Sequence, residues 1–402
     1  MQNFSFAAKL KFCTPDVMSK LLETVDLKTN FYTYEGVVKA LNKVSVVIDY
    51  GSTFGLVGES GCGKSVTVRS IMRIIQEPGR IEEGKVIAYF NGADEQQGID
   101  LLQQSEAYME QLRGCQISMI FQEPNAALNP ILSINEQISE SFLFHQKQDM
   151  AYQVLSELRK DRNNSLAPLK TYQLKMFERF VQNPDDMMIK LLSKIPLLKR
   201  WDTRLNREAT KRSIEILGKL GIANPEQVVT RYPHEISGGM KQRIVIAMAL
   251  SCNPVLLIAD EPTSNLDVTI QAQILELIKE LKEKYIASVL FITHDLGVVA
   301  ETCDRVGVMY AGNLCEVANV QELFKNPKHP YTIALLNAVP KVSQEGALAS
   351  IEGTVPNLVD PPSGCRFHPR CPQVMTICKT VFPDTKEVAE NHFVACYLYS
   401  DR

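Results

Sequence analysis

The sequence predicts an α/β fold with a parallel, doubly wound sheet at its centre. Three observations predict it. An apolar run over 54–58 ends in a glycine-rich stretch and then a helical pattern over 65–75, which is strand, loop and helix. A second apolar run over 255–259 is followed by a helix rich in Leu, Ile, Glu and Lys over 270–285. A third apolar run over 288–293 comes next, so strand–helix–strand recurs, the order that builds parallel sheets.

The elements follow in chain order. Residues 1–12 carry no pattern and read as a loose arm. Residues 22–48 alternate in strand fashion, as in KALNKVSVVI, and 115–121 form another strand candidate. The most apolar stretch, 244–259, reads as the end of a buried helix, a break at Asn253-Pro254, and a short buried strand. It falls short of the ~20 apolar residues a membrane span needs. Any membrane role is therefore served from the side. Residues 146–212 hold 15 Lys or Arg and 8 Asp or Glu, a net +7 in a chain whose total is −3, so the remainder carries −10. This stretch is helical in places, as over 189–198, and reads as an α-helical insertion. Two readings of it stand: a solvated helical excursion, or a basic surface facing acidic lipid headgroups or a partner protein. Beyond 327 prolines multiply and four of the ten cysteines gather, which reads as a separate loop-rich module.

Composition bounds the function. Hydrophobic residues are 45% and charged residues 22% of the 402, the balance of a soluble globular protein. A charge of −3 speaks against a protein that coats nucleic acid. No basic start leads into a long apolar stretch, so secretion and a disulfide scaffold are disfavoured.

Two motifs carry chemistry. Gly58, Glu59, Ser60, Gly61, Cys62, Gly63, Lys64 and Ser65 read G-x-x-x-x-G-K-S, directly after a strand and opening a helix that continues with Val66. The glycines let successive N–H groups turn inward on phosphate oxygens, and the helix adds its N-terminal dipole. Lys64 reaches the β and γ phosphates and Ser65 offers a hydroxyl to Mg²⁺. Cys62 lies inside the loop, so its alkylation is expected to block ATP. The second motif is the 255–261 strand, which delivers Asp260 and Glu261 at its carboxyl end, where open α/β sheets bind ligands. Asp260 suits Mg²⁺, and Glu261 is placed to polarise an attacking water. Together they define a nucleoside triphosphatase.

Ser237, Gly238 and Gly239, within 236–243 (ISGGMKQR), closely resemble the signature of ATP-binding cassette (ABC) proteins, with departures at Ile236 and Met240. The resemblance implies a P-loop NTPase of ABC type, with a RecA-like core over about 22–130 and 244–326 and a helical subdomain over about 131–243. The cassette as a whole would occupy 1–326, with an extension over 327–402. It further implies that Gln122 senses Mg²⁺ and water, that Asp267 in Ser264-Asn-Leu-Asp lies at a dimer interface, and that His294 is the switch histidine. Phe31 matches the aromatic that stacks on adenine, with Tyr32 and Tyr34 as competitors. Residues 329–332 (HPYT), 361–372 (PPSGCRFHPRCP) and 123–130 (EPNAALNP) resemble oligopeptide and dipeptide permease ATPases. That family implies a second, related cassette chain, two transmembrane permease subunits, an extracytoplasmic peptide-binding protein, and a peripheral place on the cytoplasmic face of the membrane. Nickel importers share the core motifs but as a rule lack such a tail. A soluble ABC ATPase acting on ribosomes or nucleic acid is the competing class, though such proteins usually carry two cassettes in one chain; no nucleic acid is expected here.

The tail thiols are spaced Cys365-x5-Cys371-x6-Cys378-x17-Cys396, without paired C-x2-C knuckles. Iron–sulfur, zinc, and free or paired thiols all remain open on spacing alone. The family resemblance favours a [4Fe–4S] cluster.

Overall fold

The computed structural model describes residues 20–90, 98–160, 168–184, 186–192, 202–264, 266–285, 288–339 and 351–400. The strands are β1 (Lys20–Thr33), β2 (Gly36–Asp49), β3 (Thr53–Val57), β4 (Gly79–Ala88), β5 (Ile99–Asp100), β6 (Ile117–Ile120), β7 (Leu256–Asp260), β8 (Ser288–Thr293), β9 (Arg305–Tyr310), β10 (Asn313–Asn319), β11 (Lys386–Ala389) and β12 (His392–Val394). The helices that matter for the site are α1 (Lys64–Ile71), α2 (Ile134–His145), α3 (Lys147–Lys160), α4 (Pro168–Gln182), α5 (Met187–Leu192), α6 (Asp202–Lys219), α7 (Gly238–Leu250), α8 (Val268–Tyr285) and α9 (Pro330–Asn337).

The main sheet runs β11-β12-β10-β9-β3-β8-β7-β6, and its β9, β3, β8, β7 and β6 are parallel. The parallel strands are buried on both faces, which is why they read as unbroken apolar runs. In β7, Leu256 and Ile258 enter the core beneath the antiparallel sheet, while Leu257 and Ala259 enter the core of the helical layer. In β8, Leu290 and Ile292 divide from Val289 and Phe291 in the same way. The alternating 22–48 segment does not join this sheet. It forms β1 and β2 of a separate antiparallel sheet, ordered β2-β1-β4-β5, whose Leu27, Val44 and Val46 pack over Leu56, Val68 and Ile71.

Helices α2, α3, α4, α6 and α7 bury Ile138, Val154, Phe177, Leu205 and Ile246 in one cluster against the outer face of β7 and β8. Much of the +7 segment is thus helical, with an apolar side facing inward. Of the expected 189–198 helix, α5 covers the part to Leu192, and 193–198 lies outside the described residues, as does the 1–12 arm. Helix α1 stops at Ile71 rather than continuing to 75. Arg73 adopts a left-handed conformation (φ 52°), Ile74 N–H turns back to Arg69 O at 2.9 Å, and the Arg73 guanidinium donates to Leu101 O and Gln104 O.

The tail is loop-rich, but it continues the main sheet. Strand β12 pairs antiparallel with β10, and Ala395 N–H donates to Cys315 O at 2.9 Å. Glu316 on β10 is buried and accepts from Lys328 N, His329 N and His392 Nε2 at 2.7, 2.8 and 2.7 Å, so one carboxylate ties three tail groups to the sheet. Tyr310, Tyr331 and Phe367 form a buried aromatic cluster with centroids 4.6 to 5.3 Å apart. Among the described residues no helix is long and apolar enough to cross a membrane.

Candidate active site

The loop from Gly58 to Gly63 joins β3 to α1. Gly58, Gly61 and Gly63 have φ of 153°, 77° and 106°, and at Gly58 a Cβ would run into the Met309 carbonyl. Lys64 is buried, and its Nζ donates to Gly58 O at 2.7 Å and Glu59 O at 3.1 Å, so the lysine closes the loop from beneath. Ser60 and Gly61 are exposed, and Val66 is half-buried in the first turn of α1. Cys62 contributes its backbone to the loop, but its side chain is 1% exposed, and burial pushes the thiol up. Alkylation of Cys62 therefore requires the loop to open first.

Ser65 Oγ donates to Asp260 Oδ1 at 3.0 Å. Burial raises Asp260 above the ordinary carboxylate range, against the opposing pull of the Ser65 hydrogen bond. A hydroxyl and a buried carboxylate side by side are the hard oxygen donors that Mg²⁺ prefers, so the pair fits that ion.

Glu261, the next residue, has φ 46°, left-handed for a side chain that gains nothing locally from it. The turn lifts its carboxylate out of the sheet. Gln122 Nε2 donates to Oε2 at 3.0 Å, and His294 Nδ1 lies 3.3 Å from Oε1. Gln122 follows β6 and His294 follows β8, so the carboxyl ends of three neighbouring strands meet at one carboxylate. Ser264 Oγ donates to Gln122 O at 3.1 Å and ties the segment after Glu261 to the same group. Asn265 lies outside the described residues.

Phe31 is half-buried on β1, opposite Gly79 of β4, where a Cβ would sit 2.6 Å from its ring. Tyr32 is engaged elsewhere, donating its hydroxyl to Glu82 at 2.7 Å with Arg80 over the ring, and Tyr34 is fully exposed at the turn. Ser237 caps α7 without using its hydroxyl, and it and Gly238 are exposed. Among the described residues no hydrogen bond joins Ser237, Gly238 or Gly239 to the loop or to Glu261. The signature helix still reaches this region, since Gln242 Nε2 donates to Pro262 O at 2.6 Å. Ile236 and Met240, the two departures from the usual signature, both pack on the helical core. Asp267 Oδ1 accepts from Ile270 N–H at 3.0 Å, so it serves at least as a cap for α8.

Cys365, Cys371, Cys378 and Cys396 line one small cavity together with His329, His368 and Met375. Burial pushes Cys365 and Cys396 up to about 11. Among the described residues no three His, Cys, Asp or Glu side chains are set closely enough to hold a single metal ion. Two residues that motif reading did not single out also converge on the loop. Arg370 forms a bidentate pair with Glu59, and the Tyr331 hydroxyl accepts from Glu59 N–H at 2.9 Å. Both stand inside the HPYT and FHPRC strings, but nothing in those strings says what they would touch.

Comparison with known proteins shows the family. Residues 41–264 match the ABC transporter family, and residues 315–378 match the oligopeptide/dipeptide transporter C-terminal region. The chain is 40% identical over 387 residues to the dipeptide transport ATP-binding protein DppD of Bacillus subtilis, covering 96% of each chain. It is 38% identical over 384 residues to the oligopeptide transport ATP-binding protein OppD of Salmonella typhimurium, covering 95% of each. In fold it is similar to the ATP-binding cassette MJ0796, solved as a post-hydrolysis dimer with ADP and Pi, at TM-score 0.52 and 21% identity over 75% of this chain and 99% of that one. A phosphate loop, a strand-end acid pair, a helical signature and this tail, in one chain with such relatives, place it in the ABC transporter family, among the ATP-binding subunits of oligopeptide and dipeptide transporters.

Proposed function

We propose that this chain hydrolyses ATP to power import of oligopeptides or dipeptides, with its nucleotide sandwiched between two cassettes. The observation that carries the reading is Glu261, held by Gln122 and His294 at 3.0 and 3.3 Å beside the Ser65–Asp260 pair. In this reading the loop N–H groups and Lys64 hold the phosphates, and Phe31 stacks on adenine. Ser65, Asp260 and Gln122 would hold Mg²⁺, which would supply charge neutralisation to the phosphates. Glu261 orients water against the γ-phosphate, while His294 and Lys64 stabilise the charge that develops. Ser237, Gly238 and Gly239 complete the partner's site, which accounts for the exposure of Ser237 and Gly238 here, and Asp267 stands at the same interface.

The partners in this reading are a related cassette chain, two membrane-embedded permease subunits and an extracytoplasmic peptide-binding protein, with this subunit peripheral on the cytoplasmic face. Closing and reopening of the cassette pair moves the permease through the Gln122 region. The tail cysteines hold a [4Fe–4S] cluster as a structural staple. Support comes from the four thiols lining one small cavity. Anaerobically purified chain should carry about four iron atoms and a brown visible absorbance. Iron-free protein with the native fold would refute the cluster.

The function is tested by purification from detergent-solubilised membranes. Co-purifying permease subunits and ATP turnover stimulated by peptide-loaded binding protein are the expected result. Co-purifying ribosomes or nucleic acid, with turnover indifferent to peptide, would overturn it.

A further inference from the structure

The short 3-10 turn His368–Arg370 lies between Cys365 and Cys371, and Arg370 leaves it toward the phosphate loop. Its Nη1 and Nη2 donate to Glu59 Oε2 and Oε1 at 2.8 and 3.2 Å. The rest of the guanidinium is also engaged: Nη1 donates to the Tyr310 hydroxyl at 3.2 Å, Nε to Glu352 O at 2.8 Å, and Nη2 to Ile351 O at 3.2 Å. The Arg370 side chain is 6% exposed and that of Glu59 25%, so this is a nearly dry, fork-shaped pair rather than a surface contact. From the other side, buried Tyr331 accepts the Glu59 N–H. Glu59 in turn offers its carbonyl to Lys64 Nζ at 3.1 Å. Arg370, next in the chain to Cys371 of the cysteine cavity, therefore connects that module through Glu59 to the loop lysine. Glu59 itself poses a difficulty, because it puts a carboxylate inside a loop built to hold anionic phosphates.

We propose that Arg370 is a positioning residue for ATP binding: it pins Glu59 and cancels its charge, so that nucleotide affinity depends on the folded cysteine module. This rests on the reading of the Gly58–Ser65 loop as the ATP site. Without Arg370 the Glu59 carboxylate is free to repel the phosphates or to swing onto Lys64, and either competes with the nucleotide. The effect must grow with the charge on the ligand, which a merely structural role would not produce.

Equilibrium binding of MgATP and MgADP to the full chain tests this, with secondary structure and melting temperature followed for each variant. Arg370→Ala should weaken ATP roughly tenfold or more and ADP less. Glu59→Gln in that background should restore most of the loss, because the stranded charge is gone. Arg370→Lys keeps the charge but not the fork and should fall between. Glu59→Gln alone, which leaves the arginine in place, should bind ATP several-fold more tightly than the native chain. Equal losses for ATP and ADP that Glu59→Gln does not restore would overturn the proposal. So would native affinity in Arg370→Ala, or weakened ATP binding in Glu59→Gln alone, a variant that reports even if Arg370→Ala does not fold. A native chain that binds no nucleotide would instead bring down the reading of the loop, and this proposal with it.

Discussion

Glu261 concentrates the chemistry of the site in one side chain. Its left-handed backbone, its bond from Gln122 and its proximity to His294 all act on the same carboxylate. Glu261→Gln keeps the size and hydrogen-bonding reach but removes the carboxylate charge. Turnover should fall roughly 10²- to 10⁴-fold while ATP remains bound, as read by single-turnover hydrolysis and retained nucleotide. Normal hydrolysis would contradict the role. Gly58 to Ser65 and the acid pair at 260–261 were legible because phosphate chemistry requires particular types at fixed places, whereas Gln122 and His294 were reached only through the family resemblance. Arg370 was not legible in the same way. It lies 311 positions from Glu59, and only the tertiary placement of the tail brings the two together. The burial of Cys62 was equally beyond the motif, which says nothing about which way the loop turns a side chain.

Among the elements, α7 bears most directly on function. Its first turn offers Gly238 to solvent, and a Cβ there would meet nothing within 4 Å. Gly238→Ala should therefore fold, yet lower turnover about tenfold by crowding the partner's phosphate in the paired state. Unchanged turnover of the assembled transporter would count against a site completed across two chains. Helix α9 carries a pH dependence. His329 is buried, and burial lowers its ring to about 4 from the ordinary 6.5. The neutral ring accepts Tyr331 N–H at 3.0 Å and caps the helix. The fold thus favours the unprotonated form. Its contribution is complete above about 6.5 and is lost as pH falls from there toward about 4, on the order of 3 kcal/mol in all. His329→Asn, which still caps but does not titrate there, should flatten this part of the stability profile in denaturant titrations. An unchanged slope would show that His329 does not set it. At this scale the parallel strands were legible because burial on two faces leaves an unbroken apolar run. The antiparallel sheet was not, since alternation over 22–48 marks strands without saying which sheet they join. The end of α1 at Arg73 was likewise hidden, being set by contacts with Leu101 and Gln104.

Across the whole molecule, a total charge of −3 conceals a +7 segment whose described part is largely helical, and the tail that reads as separate is stitched to the main sheet through Glu316. The parts converge on one place. Three strand ends deliver Gln122, Glu261 and His294, the loop delivers Lys64 and Ser65, and the tail reaches the same loop through Tyr331 and Arg370. In this account the assembly converts ATP hydrolysis in this chain into movement of peptide by others. The direct test is uptake of labelled di- and oligopeptides by cells in which the native chain is replaced by the Glu261→Gln form, with a deletion and a native complement alongside. The account predicts uptake restored by the native chain and reduced by Glu261→Gln to the level of the deletion, with the variant still assembled at the membrane. Peptide uptake at the native rate in Glu261→Gln cells, under conditions where the deletion abolishes it, would contradict it.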